Sequence, residues 1–299
     1  MLLTGKRAGP TSSSSRSSER SRPRNRPYRP RDLREAGVSP AKSLGQHFLT
    51  DTNYLNRIVG AAGLTPNDIV IEVGPGLGAL TQRLVEAAGR VIAVELDALL
   101  ASRLQERGDV TVVHGDALVV PPGKLLEAAL LPPETPYVVV GNLPYNAGTA
   151  IVRRFLEAGH QPQRLIVMLQ REVAESMTAP PGEMGLLAVS VQVYADARRL
   201  FNVPPRAFYP PPKVTSAVLR LDVRPEPSVP RDEIDSFFRV ARAGFSAPRK
   251  QLRNTLANGL AIPSEAATEA IDAAGLDGSV RPALLSVDDW LRLSRAVGT

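Results

Sequence analysis

Four polar residues, Glu72, Glu95, Asp116 and Asn142, stand at or near the ends of apolar, β-branched runs, at successive spacings of 23, 21 and 26 residues. Each interval is about one strand plus one helix. The four side chains are therefore expected along one edge of a parallel sheet, where open α/β sheets bind their ligands. Glu72 opens Glu72-Val73-Gly74-Pro75-Gly76-Leu77-Gly78. Glycines suit a backbone that turns sharply and lets a ligand approach with no Cβ in the way, although a plain strand-to-helix turn has the same look. The Gly-x-Gly-x-Gly spacing favours a single nucleoside such as S-adenosylmethionine over a dinucleotide. Glu95 ends Val91-Ile92-Ala93-Val94-Glu95, where such folds grip a ribose through an anion that accepts from two adjacent hydroxyls. The plainer alternative is a solvated position at the start of a helix, shared with Asp97. Asp116 could accept from an adenine amino group or simply cap the next turn.

The most specific segment is Gly141-Asn142-Leu143-Pro144-Tyr145-Asn146. Its residue types suit methyl transfer to an exocyclic amine. Such an amine is a poor nucleophile because its lone pair is delocalised into the ring, so acceptors on its two N–H bonds would help to free it. The Asn142 side-chain oxygen and the Pro144 carbonyl are the expected acceptors, with Tyr145 stacking on the extruded base. The sulfonium donor already carries an activated leaving group, so positioning suffices and no strongly perturbed base is required.

These residues need a scaffold that places them together. Strands are expected at 69–73, 91–95, 110–114, 137–141 and 165–169, and their apolar continuity implies burial on both faces. Helices at 79–88, 98–107 and 149–158, closed by Gly89, Gly108 and Gly159, alternate with them as βαβ units. Apolar runs at 198–203 and 214–221 flank a proline-rich loop and are expected to finish the sheet as an antiparallel pair. After the proline-rich stretch 224–230 the pattern becomes helical only, around Phe237, Leu252, Leu256 and Trp290. The organisation expected is a segment at 1–40, an α/β catalytic domain at 41–226 with a Rossmann-like sheet, and a small all-α domain at 227–299.

Composition narrows the alternatives. Of the 299 residues none is cysteine, which removes disulfides, thiolate metal sites and thiol nucleophiles. Three scattered histidines, His47, His114 and His160, make a metal centre unexpected. No apolar run is long enough for a membrane helix, and a soluble, cytoplasmic chain is expected. The net charge of +6 is unevenly placed: residues 1–40 carry ten Lys and Arg against three Asp and Glu, so the remainder sits near −1. Any nucleic-acid surface on the folded body must come from local clustering. The first forty residues, rich in Ser, Arg and Pro, lack the apolar content to fold and read as a disordered spacer, an electrostatic arm or, less in keeping with the prolines, a transit peptide.

Taken in order, the segments resemble the ribosomal RNA adenine dimethyltransferases, which modify two adjacent adenosines near the 3′ end of small-subunit rRNA. The likeness runs from residue 43 to about residue 259. It rests on Ser43-Leu44-Gly45-Gln46-His47-Phe48-Leu49, the glycine loop through Leu80-Thr81, Val94-Glu95-Leu96-Asp97, Gly115-Asp116-Ala117 and the Asn142 segment. It continues through Met168-Leu169-Gln170-Arg171-Glu172-Val173, Phe208-Tyr209-Pro210-Pro211-Pro212-Lys213-Val214 and Arg249-Lys250. The resemblance implies that His47 and Leu49 line the methionine end of S-adenosylmethionine, Gly74 meets it through backbone, Glu95 holds its ribose and Asp116 its adenine. It places Asn142 between donor and acceptor. Phe208 would be a second stacking face for the base, unless it packs in the core. Lys213, Arg249, Lys250 and Arg253 would touch phosphate, the last three on the first turns of a helix begun at Ser246.

Departures from the family pattern are His47 in place of an asparagine, Pro248 where an arginine is usual, Gly148 and Ala150 after the Asn142 segment, and Met184 in place of a frequent aromatic. The implied function is dimethylation of small-subunit rRNA by a monomer acting on the assembling subunit. Two alternatives remain at this level: a large-subunit rRNA adenine methyltransferase of the antibiotic-resistance type, against which Gly45 and Leu143 speak, and a non-catalytic assembly or transcription factor on the same fold.

Overall fold

Residues 46–298 are described in the computed structural model, and the basic segment 1–40 lies outside them. Five strands, β2 (Ile69–Val73), β3 (Arg90–Glu95), β4 (Thr111–His114), β5 (Val138–Asn142) and β6 (Arg164–Gln170), pair in parallel. The long strands β7 (Ala195–Val203) and β9 (Ser216–Val223) close the sheet antiparallel, giving the order β4-β3-β2-β5-β6-β9-β7. A two-residue ladder joins β1 (Phe48–Leu49) to β8 (Phe208–Tyr209). The chain leaves β2 toward β3 and β4, then crosses back to β5 on the other side of β2. That reversal puts a crevice between the ends of β2 and β5.

The continuous apolar strands have a simple cause. Val70, Val138, Val140 and Ile166 pack with Leu55 and Ile58 of α1 (Thr52–Ala62) and Leu84 of α2 (Thr81–Ala87). Their neighbours Ile71, Val73, Val139 and Val167 meet Leu125 and Leu126 of α4 (Pro122–Ala128) and Ile151 and Phe155 of α5 (Gly148–Leu156) on the opposite face. Each fully buried aliphatic side chain contributes roughly 1.5–3 kcal/mol, which holds both helical layers to the sheet. Between β3 and β4, α3 (Ala98–Gln105) starts on Asp97, whose Oδ1 accepts from the N–H groups of Leu99 and Leu100.

Gly89 does not cap a helix as expected. Helix α2 ends at Ala87, and Gly89 is required because the Pro66 carbonyl oxygen lies 2.2 Å from where a Cβ would stand. Two more helices, α6 (Arg171–Met177) and α7 (Leu186–Gln192), connect β6 to β7. The expected change to helices after residue 230 is seen as α8 (Ile234–Gly244), α9 (Leu252–Leu260), α10 (Ser264–Ala273) and α11 (Val287–Gly298). They close around Phe237, Leu256, Ile271 and Trp290, in the hydrophobic cluster that also holds Val189 and Val193 from the region of α7. Gly182 and Met184 donate backbone N–H groups to the Ala283 carbonyl at 2.8 and 3.2 Å, tying the α/β region to the helical one. No helix begins at Ser246. Residues before a proline disfavour helical backbone, and the chain turns through Ala247-Pro248 before α9 opens at Leu252. Arg249 and Lys250 lie in that turn and Arg253 on the first turn of α9, all three exposed.

Candidate active site

Glu72, Glu95, Asp116 and Asn142 do converge, at the carboxyl edge of the sheet. They line one cavity of about 350 Å³ together with His47, Leu49, Gly74, Pro144 and Tyr145. The glycine turn forms its floor. Gly74, Gly76 and Gly78 have φ of 67°, 57° and 75°, in the left-handed region that a side chain resists. A Cβ on Gly76 would also stand 3.0 Å from the Phe48 ring. Gly74 and Gly76 border the cavity, whereas a Cβ on Gly78 would stand 2.9 Å from Leu104 Cδ1.

Glu95 is not the exposed carboxylate that its strand-tip position suggests. It is 6% exposed, and its two oxygens accept from backbone N–H groups, Oε2 from Gly76 at 3.0 Å and Oε1 from Asp97 at 2.9 Å. Burial pushes its carboxyl above the usual range, against the pull of those two hydrogen bonds. It therefore shapes the glycine turn as well as facing the cavity. Asp116 does cap the following turn, accepting from Leu118 N–H through Oδ1 at 2.8 Å, and still lines the cavity. Glu72 is 1% exposed and its Oε2 has no hydrogen-bond partner. Desolvation raises its carboxyl to about 8, only partly offset by the neighbouring Thr81 hydroxyl, so the group is held largely protonated at neutral pH.

Asn142 ends β5 beside Gly74, and its Nδ2 donates to the His47 carbonyl at 2.9 Å. This fixes the amide and leaves Oδ1 as an acceptor. Pro144 presents its carbonyl to α5 instead of to the cavity, accepting from Ala147 and Gly148 N–H groups at 3.1 and 2.7 Å. Among the described residues no backbone N–H is recorded on the Leu143 carbonyl, one residue earlier, which sequence reasoning did not single out. Tyr145 lines the cavity with its hydroxyl hydrogen-bonded to Ser216 Oγ at 2.6 Å, and burial raises its phenol pKa.

Phe208 is not brought to the cavity. Paired with Leu49 across the short ladder, it is 4% exposed and packs with Leu55, Val140 and Met168 in the core. Its neighbour Tyr209 packs instead with Phe48 and Leu100. In the segment from Ser43 to Leu49, two residues to which the sequence reading gave no role also bear on the site: Phe48, against Gly76, and Gln46, whose Nε2 donates to Asp97 Oδ2 at 3.4 Å. Their signal was the segment itself, which carried the resemblance.

An open, mostly parallel sheet with a cavity and a glycine turn at its switch point, and carboxylates at the next two strand ends, has the Rossmann-like architecture of methyltransferases. A family model described as ribosomal RNA adenine dimethylase matches residues 39–297, and the chain belongs to that family. A ribosomal RNA small subunit methyltransferase A from Dehalococcoides mccartyi strain CBDB1 is 44% identical over 258 residues, covering 84% of this chain and 86% of the relative. Among solved structures, the 23S rRNA methyltransferase ErmE is 30% identical with a TM-score of 0.66, over 84% of this chain and 100% of that one. A dimethyladenosine transferase from Plasmodium falciparum, 23% identical over 83% of this chain and 96% of that one, shares the fold with a TM-score of 0.69.

Proposed function

We propose that this chain is an S-adenosylmethionine-dependent RNA adenine N6-dimethyltransferase that acts, as a cytoplasmic monomer, on two adjacent adenosines near the 3′ end of small-subunit rRNA during subunit assembly. The observation that carries the chemistry is the clamped amide of Asn142, whose Nδ2 is taken by the His47 carbonyl while Oδ1 is left to accept beside Tyr145. The cavity suits the cofactor: its floor is a glycine turn in which Gly76, at a φ of 57°, lies close against the Phe48 ring, and it presents two carboxylates, on consecutive strand ends, to hydroxyl and amino donors. Glu95 would hold the ribose, Asp116 the adenine, Gly74 would meet the ligand through backbone, and His47 and Leu49 would flank its methionine end. When bound, S-adenosylmethionine supplies a methyl group activated by a sulfonium leaving group.

This chain's residues do the rest. Asn142 Oδ1 accepts one N–H of the target amine and concentrates its lone pair on nitrogen. The second acceptor is the Leu143 carbonyl, because the Pro144 carbonyl already receives two N–H groups at the start of α5. Tyr145, fixed through Ser216, offers its ring to the extruded base. Phe208 acts from beneath, packing the ladder that carries Leu49. Small-subunit rRNA is favoured over large-subunit rRNA because the relative named for the small subunit is 44% identical and the 23S enzyme 30%.

Mass spectrometry of rRNA from cells with and without the protein tests the assignment. Loss of N6,N6-dimethyladenosine from the small-subunit 3′ region on deletion is expected. Loss confined to large-subunit rRNA, or no loss, would overturn it.

A further inference from the structure

The segment Met168 to Val173, one of those that carry the family likeness, ends beside the reacting site without belonging to it. Gln170 closes β6 two residues beyond Met168, which pairs with Asn142 of β5, and Gln170 itself stands opposite Ser216 of β9. Ser216 is the residue whose Oγ holds the Tyr145 hydroxyl. A second cavity, of about 130 Å³, opens here, lined by Gln170, Arg171, Glu172, Val214 and Thr215. Arg171 N–H donates to the Thr215 carbonyl at 2.9 Å and fixes the two strand ends against each other. The cavity therefore stands one residue along β9 from the side chain that seats Tyr145. Among the described residues nothing is hydrogen-bonded to the half-buried Gln170 amide, so its oxygen and its NH2 are both left to a ligand.

We infer that this second cavity is a subsite for the nucleotide next to the target adenosine, and that Gln170 is the specificity-determining residue that reads the base there as an adenine. The inference rests on the methyltransferase reading given above, in which the substrate holds two adjacent adenosines. When one of them is extruded onto Tyr145, the sugar–phosphate chain keeps its neighbour within one nucleotide of that ring. Specific reading of RNA works on such unstacked bases, through hydrogen bonds to their edges and contact with their faces. A glutamine amide matches adenine, since its oxygen accepts from the N6 amino group while its NH2 donates to N7. Guanine presents an oxygen in place of that amino group, acceptor against acceptor. The cavity is small beside the roughly 300–1,000 Å³ of pockets that enclose a whole ligand, so it takes the edge of a base and not a complete nucleoside. Val214, 39% exposed, offers the base an apolar contact. Arg171, whose ion pair with Glu175 is long at 3.7 Å, brings positive charge to the intervening phosphate. The exposed carboxylate of Glu172 offsets part of that charge, so the subsite discriminates more than it attracts.

The test uses the full chain and small subunits from cells lacking the modification, in which each of the two target adenosines is replaced in turn by guanosine or cytidine. Single-turnover methylation of the remaining adenosine is followed at saturating S-adenosylmethionine. On the side that the subsite takes, the wild type is expected to slow by about fivefold to a hundredfold when the neighbour is not adenosine. Gln170→Ala should be slower than the wild type on the adenosine neighbour and differ by less than about twofold between neighbours. Gln170→Glu, which accepts but does not donate, should move the preference toward cytidine, and it carries the test if Gln170→Ala does not fold. A wild type indifferent to both replacements would overturn the inference, as would folded variants that keep the wild-type preference or lose rate equally for every neighbour. A wild type that methylates no adenosine even in subunits with both targets intact would overturn the methyltransferase reading itself.

Discussion

Glu95 and Glu72 show how much a carboxylate's role depends on what surrounds it. Both end or nearly end a strand, yet one is satisfied by two backbone donors and the other has an oxygen with none. Glu95→Ala should weaken cofactor binding by about tenfold to a hundredfold, the loss of a charge-assisted pair. It should also lower unfolding stability by about 1–3 kcal/mol, because the Gly76 and Asp97 N–H groups lose their acceptor. Calorimetric titration and chemical denaturation check the two halves separately; unchanged stability would mean that the turn holds itself.

For Glu72 the folded-state pKa, about 8, lies above the ordinary 4.5. The proton is therefore bound more tightly in the folded chain, and the stability it confers is complete below pH 4.5 and lost as the pH rises toward 8. Between those values the slope should approach ~1.4 kcal/mol per pH unit from this group alone. Glu72→Gln should abolish that slope in urea melts taken across the range. A variant whose stability falls with pH as steeply as the wild type would show that Glu72 is ionised in the fold.

At the scale of elements, helix ends supply a stability prediction that involves no site residue. Leu130 follows α4 at a φ of 58°, and Leu131 N–H donates back to the Leu126 carbonyl, as in a helix closure that normally uses glycine. The leucine side chain is 92% exposed and gains nothing there. Ala261 repeats the arrangement after α9, at a φ of 55° with Ile262 N–H donating to Ala257. Leu130→Gly and Ala261→Gly should each stabilise the protein by roughly 0.5–1 kcal/mol, the left-handed strain relieved less the added chain entropy. Thermal unfolding midpoints that fall in both variants would contradict this.

Elements are also where the sequence was most legible, and where its limits have physical causes. The inner strands β2, β3, β5, β6 and β9 follow from apolar runs that bury both faces, whereas β4 and β7, at the two edges of the sheet, stay half-buried or exposed along most of their length. Helix α1 was not read from the sequence, although Asp51 caps it and Leu55, Ile58 and Ala62 are its buried residues. The β1–β8 ladder has two residues per strand, too few for any period. Its pairing sent Phe208 into the core, because the register with Leu49 depends on contacts 159 residues apart in sequence. The partners of Glu95 and of the Pro144 carbonyl are backbone groups, which no side-chain pattern reveals.

Across the whole molecule, charge decides how RNA is held. Outside the first forty residues the chain is nearly neutral, so attraction for phosphate must be local. Arg249, Lys250 and Arg253 are exposed together at the turn into α9, within the helical region that docks on the catalytic one through Ala283. Replacing all three by alanine should weaken rRNA binding at every site sequence and reduce the salt slope by about 2–3, with cofactor affinity unchanged. An unaltered slope would place the phosphate contacts elsewhere.

The measurement that bears most directly on the whole account is single-turnover methylation of unmethylated small subunits by wild type and Asn142→Ala, at saturating cofactor and subunit. Removing one preorganised polar group aimed at a reacting atom typically costs on the order of 10²–10³ in rate. The wild type is expected to convert target adenosine to N6,N6-dimethyladenosine. Asn142→Ala should transfer methyl groups slower by about that factor while binding subunits nearly as well, since RNA affinity comes mainly from phosphate contacts. A variant that binds both ligands and transfers at close to the wild-type rate would contradict the role of Asn142, and with it the chemistry assigned to this cavity.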